Sequence, residues 1–142
     1  MVEMDVKKLP LDAVDLWMKR WLVLTAGTLE DCNMMTVAWG SVGCMWAKPF
    51  VQVVVRPQRY TREYMDKMET FTLSAFPEPY RKDLQTLGTI SGRDGDKLAQ
   101  TGLTLIPSRN VPTPSYKEAD LILECRTLYY QDMDPGGFVD ES

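Results

Sequence analysis

The chain has 142 residues, of which 44% are hydrophobic and 25% charged, with a formal net charge of -4. That balance is ordinary for a single globular domain covering residues 1-142 and speaks against disorder and fibrous classes. The acidic excess argues against a nucleic-acid partner, and the lack of any histidine removes Ser-His-Asp and Cys-His nucleophiles and His-ligated metal sites.

The opening residues, "MVEMDVKKLP", are polar and contain no apolar segment of the signal-peptide kind. No apolar run approaches the roughly 20 residues of a membrane helix, so no membrane partner and a cytoplasmic location are expected. "RWLVLTAG" at 20-27 is rich in strand formers and "TLEDCN" then supplies turn residues. A second strand is predicted over "NMMTVAWGSVG" at 33-43, and a third over "KPFVQVVVRP" at 48-57, closed by Pro57.

In "YTREYMDKM", Tyr60, Tyr64 and Met68 recur every four residues, which predicts a helix over 60-68 with Arg62, Glu63, Asp66 and Lys67 solvated. "TFTLSAF" at 70-76 predicts a fourth strand. A helix over 77-88 follows, opened by Pro79 and ended by Gly88, and another short helix over 94-102. The prolines of "IPSRNVPTPS" at 106-115 predict a loop. The stretch 116-134 predicts a long strand with Leu121, Leu123, Cys125 and Thr127 on one face and Ile122, Glu124, Arg126 and Leu128 on the other. Cys32, Cys44 and Cys125 fit neither a disulfide framework nor a CxxC pattern and are expected to be reduced, buried thiols. The element pattern implies a small antiparallel barrel with short helices.

Three stretches carry polar chemistry, and each also has a purely structural reading. In "NMMTVAWGSVG", Asn33, Thr36, Trp39 and Ser41 stand in an apolar strand, as the lining of a small-molecule site does. Structurally, Trp39 is then core and Gly40 and Gly43 mark a bend. In "RPQRYTRE", Arg56 and Arg59 flank Pro57, and Thr61 opens the predicted helix, where free N-H groups and guanidinium groups suit a phosphate. The alternative is a solvated basic turn with Thr61 as a cap. In "SGRDGDK", Ser91, Arg93, Asp94, Asp96 and Lys97 surround Gly92 and Gly95, either as an anion-binding turn or as a charged surface turn. Together they offer an apolar and aromatic wall, donors for ring carbonyls and cations for a phosphate, a set that suits flavin mononucleotide (FMN). A flavin carries its own redox chemistry, which a chain without histidine can still bind and tune.

Those stretches, with "FTLSAFPEPYRKDL" and "EADLILECRTLYYQDMDP", resemble in the same order the flavin reductase-like family that includes flavoredoxins, from about Pro10 to Pro135. The resemblance implies a mainly β, antiparallel, FMN-binding split barrel, usually a homodimer. Its FMN would take electrons from NAD(P)H and pass them to a flavin, a ferric complex or a protein acceptor. It implies that Asn33, Met34, Met35, Thr36 and Trp39 lie along the ring, largely through backbone contacts, with Ser41 nearby. Arg56, Arg59, Tyr60 and Thr61 match "RPxRYT" and would hold the phosphate and ribityl chain, and Ser91, Gly92, Arg93 and Lys97 match "SGRDxDK". It assigns no catalytic proton donor. Relatives continue beyond "YYQDMDPGGFVD" into a further strand, so that strand is expected to be missing here. Two other readings follow: a non-enzymatic FMN-binding electron carrier, and a shortened split barrel with weak or no flavin binding.

Overall fold

The computed structural model describes residues 2 to 140. Its main sheet has the order β2-β1-β5-β8 and is antiparallel throughout, built from β1 (Leu22–Gly27), β2 (Cys32–Val37), β5 (Thr70–Ala75) and β8 (Leu121–Arg126). β3 (Gly40–Met45) and β4 (Lys48–Val53) pair only with each other as a ribbon, and β6 (Leu105–Ile106) and β7 (Ser115–Tyr116) form a minimal third pair. The helices are α1 (Ala13–Asp15), which runs on into a widened turn over Leu16–Arg20, α2 (Tyr60–Lys67) and α3 (Arg81–Thr89). This is the antiparallel split barrel with short helices that the sequence implied.

The sheet is covered on both faces, which explains why all six residues of β1 are buried. On the inner face Leu22, Leu24, Met35, Val37, Leu73 and Ala75 pack with Leu16 and Trp17, and Val51, Val53 and Met65 cover them from the ribbon and α2. On the outer face Val23 and Met34 meet Leu84 and Leu87 of α3, with Leu103 and Tyr116. β8 splits its side chains as its period-two pattern requires: Leu121, Leu123 and Cys125 inward, Ile122 outward.

Several expectations need correction. The single strand expected over 33-43 is two strands: β2 ends at Val37 and β3 begins at Gly40, which is packed so closely that a Cβ there would lie 2.3 Å from the Gln52 carbonyl oxygen and 2.5 Å from the Trp17 ring. The strand expected over 116-134 covers only Leu121–Arg126, since the pairing with β5 ends at Thr70 opposite Arg126. The 94-102 helix is instead two single 3-10 turns, Gly92–Asp94 and Leu98–Gln100. The helix at 13-20 had no counterpart in the sequence reading. Among the described residues no helix is long and apolar enough to cross a membrane.

The cysteines are free, as expected, but they are not all buried: Cys44 is exposed on the ribbon, and Cys32 and Cys125 are partly covered. Burial, then the neighbouring Asp31 and Asp96, pushes the Cys32 thiol up to about 11. Burial, then Glu124, pushes Cys125 up to about 12. Iodoacetamide at neutral pH should therefore modify Cys44 first. Cys32, two pKa units above an ordinary thiol, should react about a hundredfold more slowly than one, and Cys125 more slowly still. Time-resolved peptide mapping checks the order, and early labelling of Cys32 would contradict it.

Candidate functional site

The three polar stretches converge on one side of the barrel, between β2, the start of α2 and the end of α3. Asn33 on β2 is 5% exposed, and its Nδ2 donates to the Thr61 hydroxyl of α2 at 2.8 Å. That bond ties the first stretch to the second. Gly92 packs against both, since a Cβ there would lie 2.1 Å from Asn33 Oδ1 and 3.0 Å from Tyr60 Cδ2. Arg93 then lies over the Tyr60 ring at 4.7 Å, donates to the Gln58 carbonyl at 3.1 Å and pairs with Glu63 at 3.4 Å.

The start of α2 is left without a side-chain cap: Arg59 occupies the N-cap position and Thr61 is committed to Asn33. First-turn N-H groups of such a helix favour an anion. Three cations stand close by. Arg59 donates to the Gly88 carbonyl at 3.1 Å, and its pKa is lowered by burial and then by neighbouring Arg56. Lys97, only 3% exposed, donates from Nζ to the Leu87 and Ile90 carbonyls, both at 3.0 Å. Burial, then Arg59, pushes it down to about 8. Among the described residues none of Arg56, Arg59 and Lys97 has a carboxylate within ion-pair distance. Mutually repelling cations around uncapped amides are the electrostatics of a site prepared for an anion.

The remaining expected residues are placed as follows. The Thr36 hydroxyl donates to the Leu84 carbonyl of α3. Met34 and Met35 are buried in the outer and inner cores respectively, so only their backbone is free to meet a ligand. Trp39 is 60% exposed and stands 5.8 Å from the Arg56 guanidinium, at the mouth of the cleft and not in the core. Ser41 is on the ribbon, where its hydroxyl donates to Gln52 at 3.0 Å, and it makes no bond to the cluster. Ser91 caps its own turn by accepting from the Arg93 amide at 3.2 Å.

Sequence reasoning missed two parts of this arrangement. One is the end of α3, which contributes through the carbonyls of Leu87, Gly88 and Ile90, and a backbone carbonyl leaves no signature in side-chain identity. The other is the support behind Tyr60. The Tyr64 ring meets the Tyr60 ring edge-on at 5.3 Å, and its hydroxyl donates to Asp31 at 2.7 Å. The bond to Asp31, then the bond to the Tyr60 hydroxyl, raises the Tyr64 pKa above the ordinary value. The four-residue spacing of the two tyrosines was visible, but only as a helix face.

An antiparallel split barrel carrying a cationic, amide-rich cleft beside an apolar strand defines the class of protein. The chain belongs to the family described as flavin reductase like domain, which it matches over residues 19–134. An uncharacterized protein of Pyrococcus abyssi is 32% identical over 118 residues, covering 82% of this chain and 66% of that relative. The chain thus spans slightly less than two thirds of that relative's length. Among solved structures, the flavoredoxin of Desulfovibrio vulgaris (Miyazaki F) superposes with a TM-score of 0.73 at 22% identity, covering 92% of this chain and 69% of its own. An FMN-binding domain of a flavin reductases-like enzyme from Shewanella baltica OS155 gives 0.69 at 22% identity, covering 80% and 60%. Likeness at that identity establishes the fold.

Proposed function

We propose that this domain binds FMN in the cleft between β2, α2 and α3 and works as a reductase, taking electrons from NAD(P)H and handing them to a flavin, ferric or protein acceptor. The observation that carries the reading is the uncapped start of α2 beside Arg56 and Arg59, two cations without a carboxylate partner among the described residues. Family membership supplies the ring system that such a phosphate site would anchor.

In this reading the amides at the start of α2 and the two guanidinium groups hold the phosphate. The backbone of β2 from Asn33 to Thr36 runs beside the ring, and Gly92 and Trp39 border it. Bound FMN would supply the redox chemistry. The chain's own residues bind, orient and shield it, and positive charge nearby favours the reduced, anionic flavin. A non-enzymatic electron carrier is the second reading, favoured by one observation: among the described residues the one carboxylate paired with a cation of the cluster is Glu63, and Arg93 holds it, which removes it as a free carboxylic acid beside the ring.

The test is an FMN titration followed by gel filtration and anaerobic addition of NADH or NADPH. A retained flavin band that bleaches on the time scale of turnover supports the reductase. A retained band that resists both nicotinamides leaves the carrier, and a colourless, folded protein overturns both.

Self-association belongs to the same proposal. Met45 and Trp46 are exposed near the tip of the β3-β4 ribbon, Trp46 by 76%. Trp46 and Ala47 also hold φ values of 52° and 58°, a turn that asparagine and glycine favour. An isolated two-stranded ribbon is marginal in water, and a second copy of the chain packed on it would cover these side chains. Sedimentation velocity should show a dimer that Trp46→Glu converts to monomer; a monomeric wild type ends this proposal. Three free cysteines agree with the proposed cytoplasmic setting.

A further inference from the structure

A buried lysine with no carboxylate beside it is costly, and a methionine could fill much of the same space without a charge. Among the described residues Lys97 has no carboxylate within ion-pair distance, and it is 3% exposed. What it does in return is visible in its bonds. Nζ donates to Leu87 O, inside α3, and to Ile90 O, just past the end of that helix. The six residues between Ile90 and Lys97 are therefore tied at their base into a closed loop and fastened to the helix. Arg59 secures the neighbouring Gly88 carbonyl from the α2 side, so the last carbonyls of α3, which have no partner within the helix, are held by two cations. The loop so anchored carries Ser91, Gly92 and Arg93, and Gly92 is the residue pressed onto Asn33 and Tyr60.

We propose that Lys97 is a positioning residue: acting through the Leu87 and Ile90 carbonyls, it fixes the 91-96 loop against Asn33 and Tyr60 and so sets the wall of the cleft without touching the ligand. This rests on the FMN reading for its functional half, and on the ligand-free geometry for the other. Its hydrogen bonds are directed at two backbone carbonyls, and the segment it closes is the one that reaches the cleft. A lysine that instead held the phosphate would discriminate FMN from riboflavin, which lacks that group. A positioning lysine would not.

The experiment compares wild type with Lys97→Met in two measurements. In ligand-free protein, hydrogen exchange of the 91-96 amides should accelerate at least tenfold while β1 and β5 stay protected, which shows that the fold is intact. In titrations, the affinities for FMN and riboflavin should fall by the same factor, about tenfold, with their ratio held within about threefold, the share that a single screened charge could supply. Should Lys97→Met fail to fold, Lys97→Arg, which keeps donors but displaces them, is read in the same way and should show a smaller, equal loss for both ligands. Loss confined to FMN would overturn the proposal in favour of direct phosphate contact, and unchanged exchange at 91-96 would overturn the clasp. If wild type binds neither flavin, the FMN reading fails, while the exchange measurement still decides the clasp.

Discussion

Replacing Arg56 and Arg59 together with alanine is expected to weaken FMN binding by about 10²- to 10⁴-fold and riboflavin binding by no more than about tenfold. A hydrogen bond to a charged group is worth about 1.5–3 kcal/mol, and removing two such donors from a phosphate sums to that range. The asymmetry between the ligands carries the argument. Neither arginine has a carboxylate partner among the described residues, so removing them leaves no buried acid stranded and relieves both the burial and the mutual repulsion that, in that order, lower the Arg59 pKa. The modest riboflavin loss comes from the freed Gly88 carbonyl, which Arg59 now holds at 3.1 Å. Isothermal titration with both ligands measures the pair of factors. Equal losses would place the phosphate elsewhere.

Gly92→Ala should produce a large effect for a single added methyl group, on stability and on flavin affinity together. The added Cβ would sit 2.1 Å from Asn33 Oδ1 and 3.0 Å from Tyr60 Cδ2, and Asn33 cannot retreat freely because it is buried and bonded to Thr61. Either the 91-96 loop lifts from the cleft or the Asn33–Thr61 bond breaks, leaving buried polar groups without partners at about 1–3 kcal/mol each. A stability loss of roughly 2–4 kcal/mol and at least a tenfold loss of flavin affinity are expected. Gly137→Ala, where no atom lies within 4 Å of the new Cβ, is the control and should change stability by less than about 0.5 kcal/mol. Denaturant melts of the three proteins decide the matter, and a Gly92→Ala protein as stable as wild type would show that the loop does not press on β2.

The contrast between these residues also shows what was legible in the sequence. β1, β5 and α2 were found because their patterns report local facts: runs of strand formers, and tyrosines one helical turn apart. The facing of Leu121 and Leu123 against Ile122 was read correctly for the same reason. The split between Val37 and Gly40 was legible only as a bend at Gly40 and Gly43, because the packing of Gly40 depends on the Trp17 ring, which arrives from a helix more than twenty residues earlier. The two-residue strands β6 and β7 depend likewise on distant packing, with Tyr116 buried and its hydroxyl 2.8 Å from Thr25 of β1. In the cleft, Arg56, Arg59, Asn33 and Gly92 stood out by residue type. Lys97 did too, but its attachment to α3 carbonyls had no sequence signal.

The order of strands in the main sheet has a consequence for how the chain acquires its structure. Within that sheet only β1 and β2 can zip together as a local hairpin, with Gly27 facing Cys32 across the turn. β5 must then find β1, bringing Phe71 beside Ala26, and β8 must find β5, bringing Arg126 beside Thr70. Each of these pairings closes a long stretch of chain before any ladder rewards it. Refolding is therefore expected in the slow class of non-local β topologies, roughly milliseconds to seconds. The cleft, assembled from β2, α2 and the end of α3, can form only after β5 has docked and α3 has come back across the outer face of the sheet.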